Sequence, residues 1–501
     1  MKRQDRWPTT GLWPRATHRG DPMARDIVIM LEIHQPLRIK PLIDLPPGSE
    51  PRDPMELFEW SYNRQVFERV AENVYIKASK IILESLRRVE GFKITFSISG
   101  IALELMRSWA PKALRVIQDI ASTGKAEFMA QTYYHSLAWL IDPREFEEQV
   151  MEHSRLVEEI LGYRPTAAEN TEFMFNNDIA CTLHRLGFKV VVTEGVEWIP
   201  GFRGYNHLYT SALCPIGVLV RNYRLSDDIG FRFSMRSWDQ YPLTADKYSS
   251  WLDASPGDLV FIAMDYETFG EHHRPETGIY EFLRWLPIEA VKRDLRFLTV
   301  SEASQIHRPV GSLDIPPWAT ISWADERDLS AWLGNEAQKA ALERLRILYS
   351  YARAIEGEAM RLWRLFSTSD HFYYQATKQG PAGDVHSYFN PYGSPYKAQL
   401  IYHIALSMLS KHLAELARRD YCGFVKRFRA PDRMCYYMRS RDSVWRACSL
   451  EELLDAMEKA PRDVVDRHVV EGYIDRWLRE VLLAERGLED VKKTCYGGGN
   501  M

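Results

Sequence analysis

The chain predicts a parallel α/β fold, its sheet open or closed into a barrel, followed by a helical region. Three observations carry this. From Asp26 onward short apolar runs alternate with longer amphipathic segments, polar residues gather where the apolar runs stop, and past about residue 335 long helical patterns replace the strand signal.

Taken in order, the strand candidates are "DIVIMLEI", "FKITFSI", "KAEFMAQTYY", "TAAEN", "FKVVVTEG", "GVLVRN", "DLVFIAMD" and "RFLTVSE". Between them lie the helical patterns "SKIILESLRRVEG", "ALRVIQDIASTG", "EFEEQVMEHSRLVEEILG" and "DIACTLHRLG", several stopped by glycine as helix ends prefer. Strands separated by helices at this spacing need crossover connections, hence a parallel sheet. Further on come "NEAQKAALERLRILYSYARAIEGEAMRLWRLF" and "SPYKAQLIYHIALSMLSKHLAELARR", then turns around "YGSP" and "RAPDR", then "CSLEELLDAMEKA" and "DVVDRHVVEGYIDRWLREVLLAERGL". The expected layout is a flexible tail over 1–24, the barrel over 25–334, a helical region over 335–490 that completes the cleft, and a flexible tail over 491–501.

With 501 residues, 46% hydrophobic and 26% charged, the chain can bury a sizeable core. A net charge of −4, from 64 basic and 68 acidic residues, argues against nucleic acid or an anionic membrane surface as the main partner, and suits a neutral substrate. Aromatic residues make up 12% of the chain, and flat rings with a polar edge are what sugar faces stack on. Cys181, Cys214, Cys422, Cys435, Cys448 and Cys495 have no metal-ligand spacing, so buried thiols are expected. No apolar run is long enough to span a membrane, and the basic N-terminus lacks the apolar centre of a secretory signal; a cytoplasmic protein is expected, with Met23 an alternative start.

The polar clusters carry the chemistry. "HQP" follows the first strand, "YYHS" the third, "NTE" the fourth, "DYETFG" the seventh and "SE" the last, and active sites of parallel barrels lie at the carboxyl ends of their strands. "MDYETFGEHH" places Asp265 and Glu267, a glycine, His272 and His273 at the end of a core strand, where a buried unpaired charge would cost several kcal/mol. Glu172 stands where an extended segment meets a helix; it is either a first-turn acid beside a capping Asn170 or Thr171, or one of a working pair with Asp265. Two carboxyl groups from different strand ends are the minimum machinery of glycoside hydrolysis, one as nucleophile or base and one as proton donor.

"EIHQP", "GKAEFMAQTYYHSLA", "AENTEFMFNNDIA", "FIAMDYETFGEHH" and "LTVSEA" resemble, in order, the five sequence regions of glycoside hydrolase family 57. "NYRLSDDIGFRFS", "SWADERDLSAWLGN", "TSDHFYYQ" and "DVHSYFNPY" look like its α-amylase-like branch, so the resemblance covers residues 26 to about 400. It implies a (β/α)7 barrel, a helical region after it and retaining chemistry on α-glucans, without a cofactor or metal. Glu172 of "NTE" is then the nucleophile and Asp265 of "DYETFG" the general acid/base, their carboxyl groups about 5–5.5 Å apart. The family is frequent among thermophiles, so heat stability is expected.

His34 resembles the substrate-contacting histidine of the first region; two residues earlier, where the family commonly has a second histidine, this chain has Glu32, which can still accept hydroxyl protons. His135, Asp370 and His371 look like further sugar contacts, or else a satisfied buried histidine and helix-terminal residues. Trp198 and Trp332 are candidates for sugar stacking or core, Glu127 for a hydrogen-bonded brace, and Asp227 and Asp228 for a loop acid pair or support. Within the enzyme reading, α-amylase leads; 4-α-glucanotransferase, amylopullulanase and branching activity use the same site. A metal-dependent polysaccharide deacetylase shares the barrel, but His272 and His273 are adjacent and point apart on regular backbone; a non-catalytic glucan-binding protein is the rival from another class.

Overall fold

The computed structural model describes residues 23–44, 51, 53–198, 203–485 and 487–496. The expected N-terminal tail lies outside them except for its last two residues, as does the end of the C-terminal tail.

Ten strands form the barrel region: β1 Asp26–Ile33, β2 Ile94–Ile98, β3 Ala126–Met129, β4 Ala167–Ala168, β5 Val190–Thr193, β6 Leu208–Ser211, β7 Gly217–Val220, β8 Leu259–Asp265, β9 Arg296–Leu298 and β10 Ser312–Leu313. Parallel pairing runs β8-β1-β2-β3 in one sheet and β4-β5-β7 in the other. A parallel bridge between Ala130 and Ala168 joins β3 to β4, and the Asn222 amide donates to the Phe261 carbonyl at 2.8 Å across the opposite seam. Seven parallel strands thus close a ring. β9 lies beside the first three residues of β1, while β6, antiparallel to β7, and β10 are short additions absent from the sequence reading.

Side-chain alternation sorts each strand into two environments. Val28 and Met30 of β1 and Leu259, Phe261 and Ala263 of β8 share the barrel interior, while Ile27, Ile29, Leu31 and Ile33 join the cluster packed beneath the helices. Burial on both faces explains the unbroken apolar runs. The next inward positions are Glu32 and Asp265, which are register partners. Along these two strands the interior changes from apolar to acidic in one step, at the mouth.

Helices start where the sequence supplies caps. Ser99 accepts from the Ala102 amide at 3.2 Å, Asn176 from Ile179 at 2.9 Å, and Asn335 and Gln338 form a capping box. The run after residue 335 is two helices, Glu336–Ile355 and Glu358–Phe366; Glu356 and Gly357 break it with φ of 68° and 54°. These helices and Pro395–Arg419 share one apolar core with the barrel's outer face. Arg364 donates to the buried Glu145 at 2.6 Å and to Glu152 at 2.9 Å, joining the second of them to helix Pro143–Leu161.

Two expectations are corrected. The six cysteines are disulfides, Cys181–Cys214, Cys422–Cys495 and Cys435–Cys448, with none free among the described residues; packing in space paired them, which spacing along the chain does not reveal. The expected tail from residue 491 begins as helix Leu488–Tyr496, anchored by Cys495. The C-terminal region also contains a hairpin, β11 Tyr436–Arg439 with β12 Val444–Ala447, whose flanking residues are Cys435 and Cys448. No helix among the described residues is long and apolar enough to cross a membrane.

Candidate active site

Glu172 lies just past β4 in a turn with φ of 62°, and Phe173 follows at 54°. Two successive left-handed residues that are not glycine cost of order 1–2 kcal/mol each, so the surroundings must hold them. The Trp323 amide donates to the Glu172 carbonyl at 3.1 Å, and the Thr193 hydroxyl to the Phe173 carbonyl at 3.3 Å. Neither Asn170 nor Thr171 caps the following helix; Asn176 does, so Glu172 is not a first-turn acid.

The turn offers the Glu172 carboxylate to two donors and an imidazole from distant parts of the chain. Ser369 Oγ reaches Oε1 at 2.8 Å, Trp323 Nε1 reaches Oε2 at 2.7 Å, and His135 Nε2 lies 3.5 Å from Oε1. Trp323 also stacks on Phe173, with ring centres 4.7 Å apart. Ser369 comes from the helical region and is fixed there because its amide donates to the His135 carbonyl at 2.9 Å and Leu137 donates to Ser367 at 2.9 Å.

Asp265 ends β8, partly exposed at the mouth. Burial, then the Glu172 charge, push its carboxyl up to about 7, against the pull of His135 and Arg221. Behind it Glu267 is pushed up to about 8, by burial first and then by Asp265, and accepts from the Tyr75 hydroxyl. The rest of "TFGEHH" folds this loop. A Cβ on Gly270 would lie 2.6 Å from the Tyr280 hydroxyl and 2.9 Å from the Asn73 carbonyl, and His273 spans Ser234 at 2.8 Å and the Ile229 carbonyl at 2.9 Å.

His34, past β1, is held by Ser99 Oγ at 2.8 Å and by Asp370 Oδ2 at 3.2 Å. Burial, then the His135 charge, lower its pKa to about 4, so the ring is neutral, with Nδ1 accepting from the Ser99 hydroxyl and Nε2 facing the Asp370 carboxylate without a hydrogen bond of good geometry. Burial would raise Asp370, but the imidazoles of His34, His135 and His371 around it hold it well below the usual carboxylate range. His135 is buried and stacks on His34 at 4.3 Å. Glu32 and Glu169 are buried beneath, both raised by burial first, Glu169 to about 7.

Five of the predicted residues, Glu172, Asp265, His34, His135 and Asp370, meet at one site; Glu32 is buried beneath it with neither carboxylate oxygen open to a sugar, and His371 is turned away into the core, where it bonds the Leu365 carbonyl at 3.2 Å and stacks on Tyr402, corrections to their expected sugar contacts. Trp332 is wholly buried against Tyr373 and offers no open ring to a sugar, a correction to its expected stacking role. Trp198 is 62% exposed on a turn after β5. Glu127 sits two residues lower in the barrel and braces it, accepting from Thr95 and the Ser301 amide, both at 3.1 Å. Asp227 binds Arg221 at 2.7 Å and Asp228 binds Arg232 at 2.7 Å.

Comparison with known proteins decides the family. The sequence profile of Glycosyl hydrolase family 57 matches residues 28–316. A protein of Methanocaldococcus jannaschii named "Putative alpha-amylase" is 41% identical over 412 residues, 79% of this chain and 86% of its own. The chain belongs to glycosyl hydrolase family 57. Among solved structures, the family-57-type branching enzyme of Pyrococcus horikoshii superposes with a TM-score of 0.58 at 13% identity, over 87% of this chain and 94% of that one. The branching enzyme of Thermococcus kodakaraensis gives 0.57 at 13% identity, over 93% and 98%. Likeness at such identity is one of fold, the (β/α)7 barrel with its helical region.

Within this family-57 site the sequence reading missed Trp323, Ser369 and Arg221. "SWADERD" and "TSDHF" had been singled out as segments, but nothing in either string marks the tryptophan or the serine as touching Glu172. Arg221, directly after β7, bonds the buried Glu194 at 2.8 Å and the Ala263 carbonyl at 2.7 Å; its place at a strand end was the available signal.

Proposed function

We propose that the protein is a retaining glycoside hydrolase of α-1,4-glucans, with Glu172 as nucleophile and Asp265 as general acid/base. The observation that carries this is the pairing of a carboxyl poised near pH 7 with a second carboxyl held by two hydrogen-bond donors and flanked by His135 at the same strand-end mouth. Glu172 attacks the anomeric carbon while Asp265 passes its proton to the departing glycosidic oxygen. A glycosyl ester on Glu172 results, and the leaving chain departs neutral. Asp265, now ionised, takes a proton from water as the water oxygen attacks the same carbon, which frees Glu172 and restores the acid. If a sugar hydroxyl replaces water, the same two groups transfer the chain. The "Putative alpha-amylase" name of the relative supports water as acceptor.

Incubating maltoheptaose with the wild-type protein and with Glu172→Ala, and separating the products, tests this. Shorter oligosaccharides from the wild type alone are expected, with a loss of activity of at least about 1,000-fold in the variant. Products longer than the substrate would replace hydrolysis by transfer; no products at any temperature would overturn the α-1,4-glucan reading.

A further inference from the structure

Two acids under the site have no role in this chemistry. Glu32, on β1, is 3% exposed, and neither of its carboxylate oxygens meets a hydrogen-bond donor of good geometry among the described residues. Glu169, after β4, is wholly buried; its oxygens likewise meet no donor of good hydrogen-bond geometry, though the Ser97 hydroxyl beside them lowers its carboxyl. The two carboxyl groups interact by a hydrogen bond that raises Glu32 and lowers Glu169. Two buried carboxylates in contact cannot both be ionised; one proton is shared and one negative charge remains. Because both Glu32 oxygens are closed to solvent, Glu32 touches no sugar in this arrangement.

What that charge faces is His135. Its Nδ1 lies 3.1 Å from Gln131 Oε1 and 3.3 Å from Glu32 Oε1, and its Nε2 lies 3.5 Å from Glu172 Oε1. Every one of these atoms is an acceptor when the carboxyls are ionised. A neutral imidazole carries one N–H and would leave the other nitrogen against a bare acceptor, whereas the imidazolium donates on both sides. The ring has little freedom to turn away, with its backbone at φ 48° and its face against His34.

We propose that Glu32 and Glu169 form one acid pair with a single negative charge, and that this pair is a positioning device: it keeps His135 doubly protonated, and the imidazolium holds the Glu172 carboxylate in line for attack. The inference rests on Glu172 being the nucleophile. The charged and titratable groups that bear on His135 are Glu32 from β1, His34 beyond it, Glu169 and Glu172 beyond β4, Asp265 from β8, and Asp370 from the helical region. Burial alone would lower the pKa of the ring, and the carboxylates of Glu172, Asp370 and Glu169 more than offset it.

The test removes the charge and keeps the shape, with Glu32→Gln/Glu169→Gln in the full chain. Nitrogen spectra of labelled histidine side chains, recorded without substrate and assigned by His135→Gln, should show both ring nitrogens of His135 protonated at pH 7 in the wild type and one in the variant. With maltoheptaose, kcat should fall by at least about tenfold and KM by less than about threefold either way. In a His135→Gln background the same pair of substitutions should add less than about twofold, because the pair acts through that ring. A neutral His135 in the wild type, an unchanged ring in the variant, or losses that multiply with His135→Gln would overturn the proposal. If the double variant does not fold, Glu32→Gln alone is read by the same measures, with a smaller shift in the same direction. Absence of wild-type turnover sinks the glucan reading alone, since the spectra need no substrate.

Discussion

At Asp265 two demands meet, since the carboxyl must hold a proton near neutral pH yet stand beside a second acid. Its value of about 7 follows from burial and the Glu172 charge, and an unfolded aspartate titrates at about 3.9. As the proposed proton donor must be protonated, kcat/KM should decline as pH rises through about 7, one decade per unit well above it. The stability sign is the reverse of a salt-bridged acid. Between about pH 4 and 7 the folded state holds a proton that the unfolded chain has lost, so Asp265 lowers stability as pH rises through that window. Asp265→Asn should therefore abolish turnover and raise the unfolding free energy measured in urea relative to wild type at pH 8, by on the order of 1 kcal/mol, with a smaller difference at pH 4. Equal differences at both pH values would show that the carboxyl is not shifted.

Among the elements, β1 and β8 were legible because burial on both faces leaves long apolar runs, and their last inward positions had to be acids with a use. β6 and β10, four and two residues long, carry no such signal. The helix break at Glu356–Gly357 is written as "EG" inside a strong amphipathic pattern, and periodicity overrode it. Glu172 and Asp265 could be singled out as neighbours at one mouth because strand ends announce themselves; Ser369 and Trp323 could not, because loop contacts across 197 and 151 residues leave no local pattern. The disulfides were illegible for the same reason, and they give the elements unequal protection. Cys422–Cys495 closes 73 residues and Cys435–Cys448 only 13. Loop-closure entropy then gives about 4 against about 3 kcal/mol. Replacing the first pair by serine should lower the melting temperature more than replacing the second, as calorimetry would show; the opposite order would mean that the hairpin staple governs unfolding.

Over the whole molecule, the barrel and helical region share both a core and a site. Phe58 stands edge-on to Phe366, with ring centres 5.5 Å apart, and Trp363 is buried in the same cluster. A chain ending at residue 334 would expose that apolar face and lack Ser369, Asp370 and the Arg364 partner of buried Glu145. Such a fragment is expected to be insoluble or, if recovered, inactive on maltoheptaose; a soluble and active 1–334 fragment would show the barrel to be self-sufficient.

The bond from the Ser369 amide to the His135 carbonyl also bears on how the protein comes into being. During synthesis both proposed reacting carboxyls leave the ribosome more than a hundred residues before Ser369 and Asp370 do. Until that later stretch emerges and docks, the half-made chain holds the reagents of the reaction without the frame that aims them. With these residues in the roles proposed, the onset of activity is a readout of finished folding.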